Sequence, residues 1–154
     1  MTTRRSARML GSMGVAVLAV LAVVWIVGAR QPAPQPDRIE TGEVVAVVDG
    51  DTIDVQLPDG KERVRIIGID TPEIGREAGE VDDCYAEEAR TFLDELLYGR
   101  TVELRTDPSQ QTVDDYGRLL RHVYADGEDA ALAALSAGVG VEYTYAAPYE
   151  GQAD

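Results

Sequence analysis

GEVVAVVDGDTIDVQLPDGKERVRIIGIDTPE, residues 42–73, decides the fold. Its first part, Gly42 to Val48, is rich in valine, a side chain that fits a pleated, half-buried surface. Asp49-Gly50-Asp51 is a turn signal. From Thr52 to Leu57 the chain alternates, with Ile53 and Val55 to one side and Asp54 and Gln56 to the other. Pro58-Asp59-Gly60 makes a tight turn. Glu62 to Ile69 predicts a third strand, in which Arg63 and Arg65 alternate with Val64 and Ile66. Asp70-Thr71-Pro72-Glu73 ends it, because Pro72 has no N–H to give to a ladder. The stretch is therefore a three-stranded meander.

Downstream, residues 74–82 form a polar loop. A helix is expected from Tyr85 to Tyr98, since Ala89, Phe92, Leu93, Leu96 and Leu97 share one face. Asp82 or Asp83 is expected to cap it, and Gly99 to stop it. Thr101 to Arg105 and Arg118 to Ala125 give a fourth and a fifth strand, and Glu128 to Ala137 a short, alanine-rich helix. The class is α+β, mainly β. Three strands, a helix, two strands and a helix fit an open five-stranded barrel.

Upstream, the folded domain is expected to begin at Glu40 and to run to residue 147. Residues 30–39 carry three prolines at alternating positions and predict an extended linker. Residues 9–29 carry no charge and are long enough to cross a hydrocarbon core of about 30 Å. Residues 1–8 contain Arg4, Arg5 and Arg8, a basic tail that the positive-inside tendency keeps in the cytoplasm. Val27 and Ala29 also suit a signal peptidase. Transmembrane anchor and cleaved signal both remain open, and both place the domain outside the cytoplasm. No protein partner is implied; the membrane is a partner if the segment stays uncleaved.

Charge sets a conflict. Ten bases and 28 acids follow residue 30, a net charge of −18 on that part of the chain. Such a surface favours solubility and opposes non-specific attraction to polyanions. A single cysteine, Cys84, excludes an intramolecular disulfide. With one histidine, His122, it also makes zinc hydrolases and acyl-transfer triads poor candidates.

The chemistry concentrates at strand ends. Asp49 and Asp51 bracket a glycine at one strand junction, and Asp70 and Glu73 sit at the end of another strand. These carboxylates could meet if the strands pair, and an oxygen-only set suits calcium better than zinc or copper. Taken singly, Asp-Gly-Asp reads equally as a turn and Asp-Thr-Pro-Glu as a strand terminator. Arg65 and Arg118 are the basic partners. Two guanidiniums with a divalent ion would stabilise the charge that a phosphodiester transition state gathers. The alternatives are a solvated strand-edge charge for Arg118, and an ion pair with Asp54 or Glu62 for Arg65.

The ordered blocks VVDGDTIDV, RVRIIGIDTPE, CYAEEARTFL, DDYGRLLRHVYADG and EYTY resemble the staphylococcal nuclease-like, or thermonuclease, family. The resemblance covers residues 42–147. It implies an OB-fold barrel, calcium as cofactor, and hydrolysis of DNA or RNA to 3′-phosphorylated products. It further implies Asp51, Asp70 and the Thr71 carbonyl as metal ligands. Glu73 matches the catalytic acid, Arg65 and Arg118 the catalytic arginines, Tyr116 a phosphate contact, and Tyr143 and Tyr145 the nucleotide-site tyrosines. Those two tyrosines, two residues apart, share one face of an extended segment and could stack a base.

Three departures stand against that pattern. Asp115 replaces a basic residue next to Tyr116. The loop of residues 74–83 is acidic. The family's last helix has no counterpart after Tyr145, so residues 148–154 read as a truncated tail. A non-catalytic OB-fold module that binds nucleic acid is the alternative function.

Overall fold

The computed structural model describes residues 38–76, 79–144, 148–149 and 151–152. The expected basic tail, apolar segment and most of the linker lie outside these residues. Among the described residues no helix is long and apolar enough to cross a membrane.

The meander forms, but its first strand is longer than the valine run. β1 spans Ile39–Asp49, so among the described residues regular structure begins at Ile39, and the Arg38 amide already donates to the Thr106 hydroxyl. Two partners divide β1. Residues Ile39 to Glu43 pair with β5 (Thr101–Arg105), and Glu43 to Asp49 with β2 (Thr52–Leu57). Register shifts after Val44 and after Val47 add twist to the second half. Gly42 lies where the partners change over. A Cβ there would come within 2.7 Å of the Gln56 carbonyl oxygen, so only glycine permits the approach of β1 to β2.

β3 (Gly60–Ile66) pairs antiparallel with β2. It also pairs parallel with β6 (Leu119–Ala125), with Val64, Arg65 and Ile66 opposite Leu119, Leu120 and Arg121. β6 pairs with β5, and the circuit of five strands closes. The barrel leaves no free edge among these strands.

The expected third strand, Glu62 to Ile69, is two strands. β3 ends at Ile66, and β4 (Gly68–Asp70) belongs to a separate ribbon with β8 (Val141–Tyr143). Gly68 makes the break. Its φ of +92° turns the chain out of the barrel.

The helix expected at Tyr85 to Tyr98 is α1, Ala86–Leu97. Ala86, Ala89, Leu93 and Leu97 are buried, while Phe92 and Leu96 flank the core. Neither Asp82 nor Asp83 caps it. Tyr85 is the N-cap residue, at φ 78°, with no side-chain cap, because both aspartates are spent inside the preceding loop. The second helix also starts later than expected. Asp126 and Gly127, both at positive φ, form a hairpin turn, so Glu128–Asp129 become a short strand, β7, against β6. α2 then runs Ala130–Ala137, capped by the Asp129 carboxylate on the Leu132 amide.

Side chains from the strands (Val44, Ile53, Val55, Val64, Ile66, Leu104 and Val123) fill the barrel, and α1 and α2 cover it with Leu93, Leu97 and Ala134. Tyr149 packs back on this body. Its hydroxyl donates to Glu142 at 2.7 Å, and its ring lies 5.9 Å from that of His122.

Leu93 is fully buried under the barrel. Leu93→Ala is expected to lower unfolding free energy by about 2–5 kcal/mol, read from the denaturant midpoint with an unchanged m-value.

Candidate functional site

The end of β1, the start of β2, the end of β3 and all of β4 meet at one mouth of the barrel. Asp51 closes the β1–β2 turn and is fully buried. Gly50 permits that turn to pack, since a Cβ on it would lie 2.7 Å from both the Ala89 Cβ and the Thr71 hydroxyl. Asp51 Oδ2 accepts from the Thr71 amide at 3.0 Å and from the Thr71 hydroxyl at 3.1 Å. Its other oxygen accepts from the Thr52 hydroxyl at 2.9 Å. The link from residue 51 to residue 71 places the end of β4 beside the β1–β2 turn.

Arg65 lies across this junction, almost fully buried. Its Nη1 is 2.9 Å from Asp51 Oδ2 and its Nη2 is 2.7 Å from Asp70 Oδ1. Nη1 also donates to the Ile69 carbonyl at 2.8 Å. The pairing considered with Asp54 or Glu62 does not form. Lys61 and Arg63 engage Asp54 instead, on the outer face of the meander.

Asp51, Asp70 and Glu73 each present a carboxylate oxygen, all within 4.8 Å of one another. Burial grades outward across them, from enclosed Asp51 through half-buried Asp70 to exposed Glu73. The donors are oxygen throughout, which fits a hard divalent cation. Asp51, Asp70 and the neighbouring Thr71 carbonyl are the groups that could hold one. Burial pushes the Asp51 carboxyl up to about 7, and Asp49 adds to the rise against the opposing charge of Arg65. The Glu73 carboxyl is also raised, first by partial desolvation and then by Asp49, with Arg76 and Arg65 opposing.

Arg118 lies just before β6, two residues ahead of Leu120, the parallel partner of Arg65. Asp114, buried, holds it through Nε at 2.6 Å and also accepts from the Tyr116 and Arg118 amides. The Arg118 guanidinium lies 5.3 Å from the centre of the Tyr116 ring, which is itself 81% exposed. Arg65 and Tyr143 border one narrow crevice with Gln110 and Leu120. Tyr143 is opposite Gly68 in the β4–β8 ribbon. Tyr145 lies outside the described residues.

Two site residues received no individual role from the sequence: Asp49, named only among the carboxylates that could meet, and Arg76. Asp49 is buried, and its Oδ1 accepts the Asp51 amide at 3.3 Å. Its other oxygen pairs with Arg76, from the loop that carries Glu73. The place of Asp49 at the end of an apolar strand was the available signal for the first. Nothing local signals the second.

Residues 63–154 match the family model described as staphylococcal nuclease homologue. The chain belongs to that family. The staphylococcal nuclease match contains Arg65, Asp70, Thr71, Glu73, Tyr116, Arg118, Tyr143 and Tyr145; Asp51 precedes it and joins the site through its contacts with Arg65 and Thr71. Among similar proteins, a thermonuclease of Staphylococcus intermedius is 35% identical over 121 residues, covering 75% of this chain and 70% of that protein. A micrococcal nuclease of Shigella flexneri is 40% identical over 84 residues, 54% of this chain and 42% of that protein. The endonuclease YncB of Bacillus subtilis is 36% identical over 99 residues, 64% of this chain and 46% of that protein. The chain thus spans less than half the length of the latter two.

A carboxyl whose native value lies above its unfolded value binds more protons when folded. Its contribution to stability is present at low pH and lost as pH rises through the native value. Metal-free protein is therefore expected to lose stability from about pH 4 to about pH 7 and to level off above it, and Asp51→Asn to flatten that slope. An excess of divalent cation should oppose the loss, since a metal ligand must be ionised. Chemical unfolding across this pH range in chelator, and again with cation, checks both.

Proposed function

We propose that this chain is a calcium-dependent nuclease that hydrolyses DNA or RNA to 3′-phosphorylated products. The observation that carries the reading is the convergence of Asp51, Asp70 and Glu73 within 4.8 Å beside the Arg65 fork. A barrel that only bound nucleic acid would not require buried carboxylates at the mouth. The names of the similar thermonuclease, micrococcal nuclease and endonuclease support the same class.

Asp51, Asp70 and the Thr71 carbonyl would hold the cation. Bound calcium would supply fixed positive charge for a phosphoryl oxygen and an attacking water. The remaining work falls to the chain. Glu73, on the open side of the trio, accepts a proton from the water as its oxygen bonds to phosphorus. Arg65 and Arg118 offer planar donors to the phosphoryl oxygens as charge builds there. The bond from phosphorus to the 5′-oxygen breaks, the 5′-oxygen takes up a proton, and the phosphate stays on the 3′ side of the preceding nucleotide. Tyr116 contacts phosphate and Tyr143 lines the nucleotide site, and the family resemblance gives Tyr145 the same role. Residues 9–29, uncharged and preceded by three arginines, support placement outside the cytoplasm, either anchored or secreted.

Glu73→Gln is expected to lower kcat by about 10²–10⁴-fold with an unchanged circular dichroism spectrum, and chelator to abolish cleavage by the parent. Full activity in either case would remove the assignment.

Arg65→Lys and Arg118→Lys keep the charge but lose the two-donor fork. Both should impair turnover of a short single strand measured below saturation, and the Arg65 change should also destabilise the Asp51–Asp70 junction. If both variants cleave at the parental rate, these arginines are structural.

A further inference from the structure

The loop from Pro72 to Asp83 carries Glu73, and of its described apolar residues Pro72 and Ile74 are only half-buried. Val81 is 87% exposed. Its neck is closed by polar contacts. The Asp83 amide donates to the Glu73 carbonyl at 2.9 Å, the Glu73 amide to Asp83 Oδ2 at 3.2 Å, and the Gly75 amide to Asp82 Oδ1 at 2.9 Å. These bonds shape the loop, and Arg76 ties it to the barrel. It extends from the loop to Asp49, a carboxylate 1% exposed at the end of β1, while its own side chain is 45% exposed. Asp49 shares the mouth with Asp51, to whose amide it is bonded. Arg65 already serves Asp51 and Asp70. A buried carboxylate beside another is costly unless a cation answers it, and Arg76 is the cation that reaches Asp49.

We propose that Arg76 is a positioning residue: its pair with buried Asp49 holds the Glu73 loop against the metal site. The catalytic consequence rests on the nuclease reading above; the placement of the loop does not. Arg76 acts through the backbone of residues 73–76 and touches neither cation nor substrate. Its removal should leave the barrel folded, loosen Glu73, and slow the chemical step more than it weakens substrate binding.

The test uses the full chain in mild detergent, as parent, Arg76→Gln, Arg76→Lys, Asp49→Asn and the Asp49→Asn/Arg76→Gln double variant. The first readout is hydrogen exchange of metal-free protein. Amides of Glu73 and Gly75 are expected to exchange about tenfold faster in Arg76→Gln and in Asp49→Asn, with no further gain in the double variant. Amides of β2 and α1 should keep parental rates, and Arg76→Lys should restore most of the protection. The second readout is cleavage with saturating calcium. Arg76→Gln is expected to lower kcat about tenfold or more at near-parental KM, as a displaced catalytic group does, and Arg76→Lys to recover part of it. Unchanged exchange at Glu73 and Gly75 would overturn the proposal. So would additive effects in the double variant, or a raised KM at parental kcat, which would make Arg76 a substrate contact. A parent that folds but cleaves nothing would refute the nuclease reading alone, and the exchange result would still decide the role of Arg76.

Discussion

The guanidinium of Arg65 joins parts of the chain that sequence separates. It comes from β3, a barrel strand, and it bridges Asp51, at the β1–β2 turn, to Asp70, at the tip of a ribbon outside the barrel. It also takes the Ile69 carbonyl. Three acceptors on two other elements share one buried cation, and the planar fork sets the angle between them. Without that charge, Asp51 would be a buried carboxylate beside Asp49 with no counter-ion. The barrel thus depends on the fork to tolerate its own site, and the site depends on the barrel to hold the fork still.

This arrangement separates two electrostatic scales. The chain after residue 30 carries 28 acids against ten bases, a long-range field that opposes a polyanion. Close to the site, the arginines are held individually by buried or half-buried aspartates: Arg65 by Asp51 and Asp70, Arg118 by Asp114, Arg76 by Asp49. Each aspartate fixes the direction of a guanidinium. Part of the acidity that disfavours long-range attraction is therefore the scaffold that orients the local basic groups. At physiological salt, fields fade over about 8 Å, so the distant surface charge is largely screened at the site.

Much of the fold was legible because strand and helix periods are local. The alternation in Thr52 to Leu57 and the face of Leu93 and Leu97 gave their elements directly, as did the tight turn at Pro58-Asp59-Gly60. Two of the errors share a cause in backbone geometry at single residues. Gly68 turns the chain at positive φ, which an apolar run through Ile66, Ile67 and Ile69 conceals. Asp126-Gly127 makes a hairpin where helix-forming residues follow at once. Asp82 and Asp83 had the composition of caps, but loop amides of Glu73 and Gly75 claimed them. For the site, the resemblance of ordered motifs named Asp51, Asp70, Glu73 and Arg65, and the structure places these four side chains beside one another. Composition could not show that Asp54 is answered by Lys61 and Arg63, leaving Arg65 for the mouth. Nor could it show Arg76 reaching Asp49, a pairing across 27 positions.

The β4–β8 ribbon has three paired positions, Gly68 with Tyr143, Ile69 with Glu142 and Asp70 with Val141. One short ladder thus fixes Asp70, a member of the carboxylate trio, and Tyr143 in the same register. Side chains alternate along a strand, so a slip of one residue exchanges its two faces. An inserted or deleted residue between Gly140 and Tyr143 would turn the tyrosine away while leaving composition and hydrophobicity almost unchanged. Gly140 sharpens the constraint, since a Cβ there would fall 2.7 Å from the Asp70 carbonyl oxygen. Length variation in evolution should therefore be tolerated in the acidic loop beyond Arg76, and suppressed in this small interval. The spacing of the ribbon, more than the identity of its side chains, is what descent must preserve.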